Sequence, residues 1–302
     1  MRALGIVGKV LIGAGIVLLL FAAYQVWGTS IQEAHTQTTL RTTLVHESQN
    51  AEVKRALAEA TALDKLPTGP PVAAATTSAP AEGKAVGEIR IPAIGINQVV
   101  VEGTNTPDLR QGPGHYIGTP LPGQRGNAAV AGHRTTYGHP FYNLNALKAG
   151  DPIVLTTFQG IFVYNTIKSQ VVLPGDTDIL KNALGDYLTL TTCNPRFSAS
   201  TRLVVTAALA HSQLFPNAGL PPGTQAKPGK PESDDLAGNS GGQLTDALAW
   251  GFVVLVAGGI VLLLAHRFRP RRWFIYVIGT LGVLVLLYGF FTALTPLLPA
   301  SF

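Results

Sequence analysis

The sequence predicts a mainly β domain, a closed barrel or sandwich, held between membrane segments. Three observations predict it. Long apolar runs lie at both ends of the chain. Only 13% of the 302 residues are charged while 46% are hydrophobic, against about a quarter charged in ordinary globular proteins. Between two low-complexity segments lie at least seven short, β-prone runs bounded by Gly, Pro, Asn or Asp.

The first apolar run extends from Val10 to Trp27, behind Arg2 and Lys9. With Leu4 to Val7 it is long enough to cross about 30 Å of hydrocarbon. A cleavable signal peptide shares the basic start, but its apolar centre is normally about 7–15 residues and ends at a small-x-small site. Phe21-Ala22-Ala23 fits such a site poorly and Gly28-Thr29-Ser30 fits better; the reading favours an uncleaved anchor. Ala247 to Ala265 and Trp273 to Leu294 are two further spans. Between them His266-Arg267-Phe268-Arg269-Pro270-Arg271-Arg272 holds four arginines in seven residues. Short Arg-rich loops stay cytoplasmic, and tryptophans such as Trp250 and Trp273 suit the interface. The expected path is multi-pass: N-terminus inside, large domain outside, C-terminus outside. A helical hairpin buried in a soluble core is the alternative, which the four arginines oppose.

The charge of +5 divides by position. Arg2, Lys9, Arg267, Arg269, Arg271 and Arg272 serve topology, leaving 16 basic against 17 acidic residues. A near-neutral ectodomain excludes nucleic acid as the expected partner. The single cysteine excludes an internal disulfide framework and a cysteine-rich zinc site.

Five segments follow. Residues 1–28 are the cytoplasmic tip and anchor. Residues 29–83 are a helical stalk, with Leu40, Leu44, Val53, Leu57 and Leu63, then a Pro/Ala/Thr-rich linker. Residues 84–212 are the compact domain, 213–246 a second linker, and 247–302 the two C-terminal spans with their Arg-rich loop. Within the domain, strands are expected at 88–91, 98–101, 128–131, 153–157, 161–167, 187–192 and 203–209. Phe158-Gln159-Gly160 reads as a hairpin connection. Short helices are expected over Phe141–Leu147 and Asp178–Leu184.

Cys193 ends the run Leu188-Thr189-Leu190-Thr191-Thr192 and precedes Asn194-Pro195. A strand fixes the backbone up to the thiol and the proline turns the chain away, which presents the side chain at a rim. A buried inert cysteine is the bland alternative. His133 ends the strand-like run Asn127 to Gly132; a histidine beside a thiol can favour the thiolate and protonate a leaving amine. His115 and His139 lie in loops that could face a groove or serve structure. His211 reads as a surface residue, and His35, His46 and His266 fall in stalk or cytoplasmic loop. Arg202 begins the last strand; if the intervening loop folds back it sits beside Cys193, where a guanidinium could donate to an oxyanion.

Thr189-Leu190-Thr191-Thr192-Cys193, with Arg202 nine residues on and His133 sixty residues upstream in Ala131-Gly132-His133, resembles the signature of sortases, membrane-anchored cysteine transpeptidases of Gram-positive bacteria. Gly103-Thr104, Gly112-Pro113-Gly114-His115-Tyr116 and Gly118-Thr119-Pro120-Leu121-Pro122-Gly123 are similar to actinobacterial class E members. The resemblance covers about Gly87 to Leu209. It implies an eight-stranded β-barrel with short helices, here accompanied by three membrane spans. It implies Cys193 as nucleophile, His133 as acid and base, and Arg202 as oxyanion donor, with Tyr116, Thr119 and Thr192 as substrate-binding candidates. The implied partners are secreted proteins with a C-terminal LPXTG- or LAXTG-like sorting signal, a peptidoglycan-precursor amine and membrane lipid. No metal or cofactor is expected. The aspartate-proline-aromatic lid motif of pilin polymerases is not present: Asp151-Pro152 is followed by Ile153. Two other readings compete: an L,D-transpeptidase or other cysteine peptidase, whose serine-x-glycine-cysteine pattern Thr191-Thr192-Cys193 departs from, and a non-catalytic membrane-tethered scaffold.

Overall fold

Alternating apolar residues bounded by turn formers produce eight strands: β1 (Ala85–Ile91), β2 (Ile96–Glu102), β3 (Gly114–His115), β4 (Gly126–Ala131), β5 (Pro152–Thr157), β6 (Gly160–Val172), β7 (Asp186–Asn194) and β8 (Thr201–Leu214). The computed structural model describes residues 2–48, 51–59, 66–182, 184–215, 244–268, 270 and 272–295. The strands close into a barrel in the order β1-β2-β3-β4-β7-β8-β6-β5, with β5 returning to β1. Pairs are antiparallel except β2–β3 and β4–β7. Closure leaves the domain without a free sheet edge along most of its length. Phe158 and Gln159 connect β5 to β6 as a hairpin.

The barrel interior is filled by Ile89, Ile91, Ile153, Leu155, Phe162, Tyr164, Leu188, Leu190 and Val205, with Phe141 and Leu144 closing one side. These residues alternate along their strands with outward neighbours, as a pleated strand requires. Helix α4 (Thr106–Leu109) is capped by Asn105, whose side chain accepts from Asp108 N at 3.0 Å. The expected helices over 141–147 and 178–184 reduce to 3₁₀ turns at Leu144–Ala146 and Thr177–Leu180, residue 183 being outside the described residues. Segments so short gain too few internal bonds to offset helix nucleation.

The chain divides into two compact units, Met1–Gln25 with Asn239–Ala300 and Val26–Gly238 with Ser301–Phe302. The first holds helices α1 (Arg2–Ala23), α5 (Leu244–Arg267) and α6 (Arg272–Leu294). Tyr24, Leu287 and Phe291 form a buried cluster against Leu20, Phe21 and Val254. Tyr24 Oη lies 3.1 Å from Thr292 Oγ1, and Gln25 Nε2 donates to Thr295 Oγ1 at 3.2 Å. Such polar pairs between apolar helices act as ties where no water competes. Three helices, Leu11–His46, Leu244–Arg267 and Trp273–Leu294, are long and apolar enough to cross a membrane. Of the Arg-rich connection, Arg269 and Arg271 fall outside the described residues, as does residue 1.

In the second unit, helices α2 (Thr29–Glu47) and α3 (Ala51–Glu59) occupy the segment read as a stalk. Helix α2 lies on the barrel wall. Gln37 Nε2 donates to Val99 O (3.0 Å) and Gln111 O (2.8 Å), and its Oε1 accepts from Val99 N (2.7 Å). The amide thereby stands in for a neighbouring strand where the two-residue β3 leaves β2 unpaired. Arg41 pairs with buried Glu88 at 3.3 Å and donates to Asn97 Oδ1 at 3.1 Å. The Pro/Ala/Thr-rich segment also contacts the barrel: Ala74 N donates to Gly123 O (2.7 Å), and Gln159 Nε2 to Ala75 O (2.7 Å). His211 Nδ1 lies 3.0 Å from Gly69 O. The second linker lies outside the described residues over 216–243.

Leu44, 1% exposed, packs with Val53, Leu57, Ala85, Val99, Phe158 and Phe215. Leu44→Ala should therefore cost about 2–5 kcal/mol, the range for emptying a core leucine site. Chemical denaturation of the full chain in detergent measures it. An unchanged midpoint would mean that α2 is a free stalk rather than part of the folded unit.

Candidate active site

Strand register assembles the site. β4 and β7 run parallel, with Gly126 opposite Asp186 through Ala131 opposite Thr191, a constant offset of 60 residues. Gly132 N continues the ladder to Thr191 O at 3.1 Å. His133, the next residue, thus emerges at the level of Cys193. β7 and β8 are antiparallel, and Cys193 stands directly opposite Arg202. Side chains alternate along a strand. Leu188 and Leu190 enter the core, so Thr189, Thr191 and Cys193 share the other face. Leu203 and Val205 likewise enter the core and leave Arg202 on the Cys193 side. Gly132 is required by close packing, because a Cβ there would lie 2.6 Å from the fully buried ring of Phe141.

Cys193 is partly buried. Burial pushes its thiol pKa up, against the guanidinium groups of Arg202 and then Arg134, which pull it down. His133 is 6% exposed, with its ring 5.2 Å from that of Tyr137. Burial drives its pKa from 6.5 down to about 4, and the Arg110 cation adds to the shift. Arg110 itself lies 5.6 Å over the Tyr137 ring. The resting pair is therefore a neutral imidazole and a neutral thiol. Arg202 is 4% exposed; its Nη1 donates to Ala199 O (2.8 Å) and Thr201 O (3.1 Å). Among the described residues, His133 Nε2 and Arg202 Nε are buried without hydrogen-bond partners. Buried polar atoms are rarely left so, and both stand beside the thiol's register position.

The other expected residues separate. Tyr116 joins an apolar cluster with Leu109, Ala129 and Ala131, against which Leu180 packs, and its hydroxyl lies 3.0 Å from Thr191 Oγ1. That cluster is on the Cys193 side of β4 and β7. Thr119 donates to Tyr116 O at 2.9 Å and lines a cavity of about 600 Å³ with Thr77, Pro80, Ile117, Leu121 and Leu180. Cys193, His133 and Arg202 do not line that cavity. Thr192 points the other way: it follows Leu188 and Leu190 and donates to Gly132 O at 2.7 Å. It ties β7 to the end of β4 instead of facing the thiol. His115 is fully buried, its Nδ1 2.8 Å from Glu102 Oε2 and its Nε2 2.9 Å from Pro120 O, a structural placement. His139 is exposed. No group of three or more His, Cys, Asp or Glu able to hold a metal occurs among the described residues.

One residue had no role in the sequence reading. Arg134, 6% exposed, donates from Nη1 to Cys193 O (3.1 Å) and Asn194 Oδ1 (2.7 Å), and from Nη2 to Asn145 Oδ1 (3.0 Å). Its adjacency to His133 was the only signal in the sequence.

Comparison with known proteins finds similarity over the barrel. The sortase-domain model matches residues 89–210. Sortase SrtE1 of Streptomyces coelicolor is 30% identical over 215 residues, covering 66% of this chain and 55% of that protein. Sortase SrtE2 of the same organism is 28% identical over 240 residues, covering 73% and 87% respectively. The chain thus spans about half the length of the first and most of the second. The solved structure of sortase E from Streptomyces avermitilis is 39% identical, with 45% of this chain and 97% of that one covered and a TM-score of 0.41. The barrel thus matches a sortase domain over residues 89–210, and the chain is similar to the class E sortases SrtE1 and SrtE2.

Proposed function

We propose that the chain is a membrane-anchored sortase that cleaves a C-terminal LPXTG- or LAXTG-like sorting signal between Thr and Gly and transfers the protein to a peptidoglycan-precursor amine. The observation that carries the reading is the convergence of Cys193, His133 and Arg202 on one barrel face, with His133 Nε2 and Arg202 Nε lacking partners among the described residues. In this mechanism the Cys193 sulfur attacks the Thr carbonyl carbon and its proton passes to His133. The free Arg202 N–H donates to the tetrahedral oxyanion. The C–N bond breaks, the glycine amine leaves with the proton from His133, and a thioester remains. An incoming amine then attacks the thioester, loses a proton to His133, and expels the Cys193 sulfur. Burial around the site favours this sequence, since it excludes water that would hydrolyse the thioester.

Membrane placement belongs to the same proposal. Basic residues Arg2, Lys9 and Arg267 to Arg272 flank apolar helices, which by the positive-inside rule puts them in the cytoplasm. The barrel then works outside the cell, where its substrates emerge. The residue boundaries 1–28, 29–83, 84–212, 213–246 and 247–302 are the working division for truncations.

The test incubates the chain with peptides carrying LPXTG and LAXTG and with hydroxylamine as acceptor. We expect a Thr-hydroxamate from the wild type and none from Cys193→Ala. Release by the alanine variant, or none by the wild type, would defeat the reading. Arg202→Ala should lower kcat by about 10²–10³-fold, the usual loss for an oxyanion donor.

Burying His133 neutral also links stability to pH. Its folded pKa of about 4 lies below the ordinary 6.5, so the unfolded chain binds the proton more readily between those values. The stability this group allows is intact above about pH 6.5 and falls as pH drops toward about 4, by on the order of 3 kcal/mol. His133→Gln should flatten that part of the denaturation-versus-pH curve; parallel curves for the two proteins would contradict the assignment.

A further inference from the structure

We propose that Arg134 is a positioning residue for the transfer reaction, a clamp that fixes Cys193 relative to both His133 and Arg202. The inference rests on reading Cys193 as the nucleophile. Arg134 follows His133 directly, so any bond from its guanidinium to β7 spans the gap between the two reacting side chains. It makes two such bonds, to Cys193 O and to Asn194 Oδ1. Its second nitrogen reaches Asn145 Oδ1 and braces the fork against the loop beyond Phe141.

The third member is reached through Asn194. Asn194 Nδ2 donates to Thr201 Oγ1 at 3.0 Å, and that hydroxyl donates back to Asn194 O at 2.8 Å. Thr201 O in turn accepts from Arg202 Nη1 at 3.1 Å. One guanidinium thus connects by hydrogen bonds to Cys193 and, through Asn194 and Thr201, to Arg202, while His133 is its neighbour in the chain. A lysine could not replace it, since its single nitrogen cannot meet three acceptors in a planar fork. A buried arginine held by neutral acceptors costs free energy unless its charge is used. Here the charge lies beside the thiol, on the flank opposite Arg202.

The cations bearing on Cys193 are Arg202 on β8 and Arg134 after β4, with His133 at the same register level, and Arg196 and Tyr142 bear on Arg134 itself. Arg196 stacks 4.0 Å over the Tyr142 ring and donates to Tyr142 O. The clamp therefore has two separable effects. Its charge favours the thiolate, and its fork sets the distance over which the proton moves.

The full chain in detergent has one cysteine, so iodoacetamide alkylation followed by mass spectrometry reports Cys193 alone. Arg134→Gln should shift the alkylation midpoint to higher pH and slow alkylation at neutral pH by about 3–10-fold. Arg134→Lys keeps the charge and should hold the wild-type midpoint, while kcat for hydroxamate release drops about 10-fold with KM little changed. Alkylation of Arg134→Gln along the wild-type pH profile, or wild-type kcat in Arg134→Lys, overturns the assignment. If Arg134→Gln does not fold, the kcat of Arg134→Lys decides. A wild type that alkylates but releases no hydroxamate defeats the transferase reading, and the alkylation profiles still test the charge of the clamp.

Discussion

The parallel pairing of β4 with β7 is the constraint on which the site depends. Two strands distant in sequence are locked at a single offset, and their ends carry Cys193 and His133, the two groups proposed to exchange a proton. A slip of one residue would turn His133 or Cys193 to the opposite face of the sheet. The register is held from both sides. Leu188, Leu190, Ala128 and Val130 are fully buried in the core, while Thr189 donates to Asn127 Oδ1 and Thr192 to Gly132 O. Parallel neighbours cannot be joined by a tight turn, so β5 and β6 intervene. The barrel is in this sense the connection that lets β4 and β7 lie side by side.

Electrostatics at the site work against the resting charges. Burial holds the thiol and the imidazole neutral, and two guanidinium groups reward the thiolate once it forms. Charge separation is therefore costly in the empty site, and in the proposed reaction it is favoured when a substrate carbonyl supplies the developing oxyanion. The same burial keeps the imidazole uncharged where the Arg110 cation lies nearby across the Tyr137 ring.

Much of this was legible in the sequence. The strand runs, the hairpin at 158–160 and the face-to-face placement of Cys193 and Arg202 follow from alternation and loop length. The sixty-residue spacing between His133 and Cys193 equals the offset of a parallel ladder, so a spacing in sequence became a distance in space. β3 was not legible because two residues show no period. Thr192 lies on the face opposite Cys193, as the period of two sets it. The brace formed by α2 was hidden because Gln37 and Arg41 bind barrel atoms through polar side chains, which no hydrophobic pattern reveals. Arg134 was hidden for the same reason: it bonds the Cys193 carbonyl and the Asn145 and Asn194 side chains, polar contacts that no hydrophobic pattern reveals.

The most direct measurement is intact-protein mass spectrometry of the chain mixed with a sorting peptide in the absence of an acceptor amine. The expected result is an adduct equal to the peptide cleaved after Thr, located at Cys193 and released by hydroxylamine. An unmodified protein under conditions that consume the peptide, or an adduct on another residue, would contradict it.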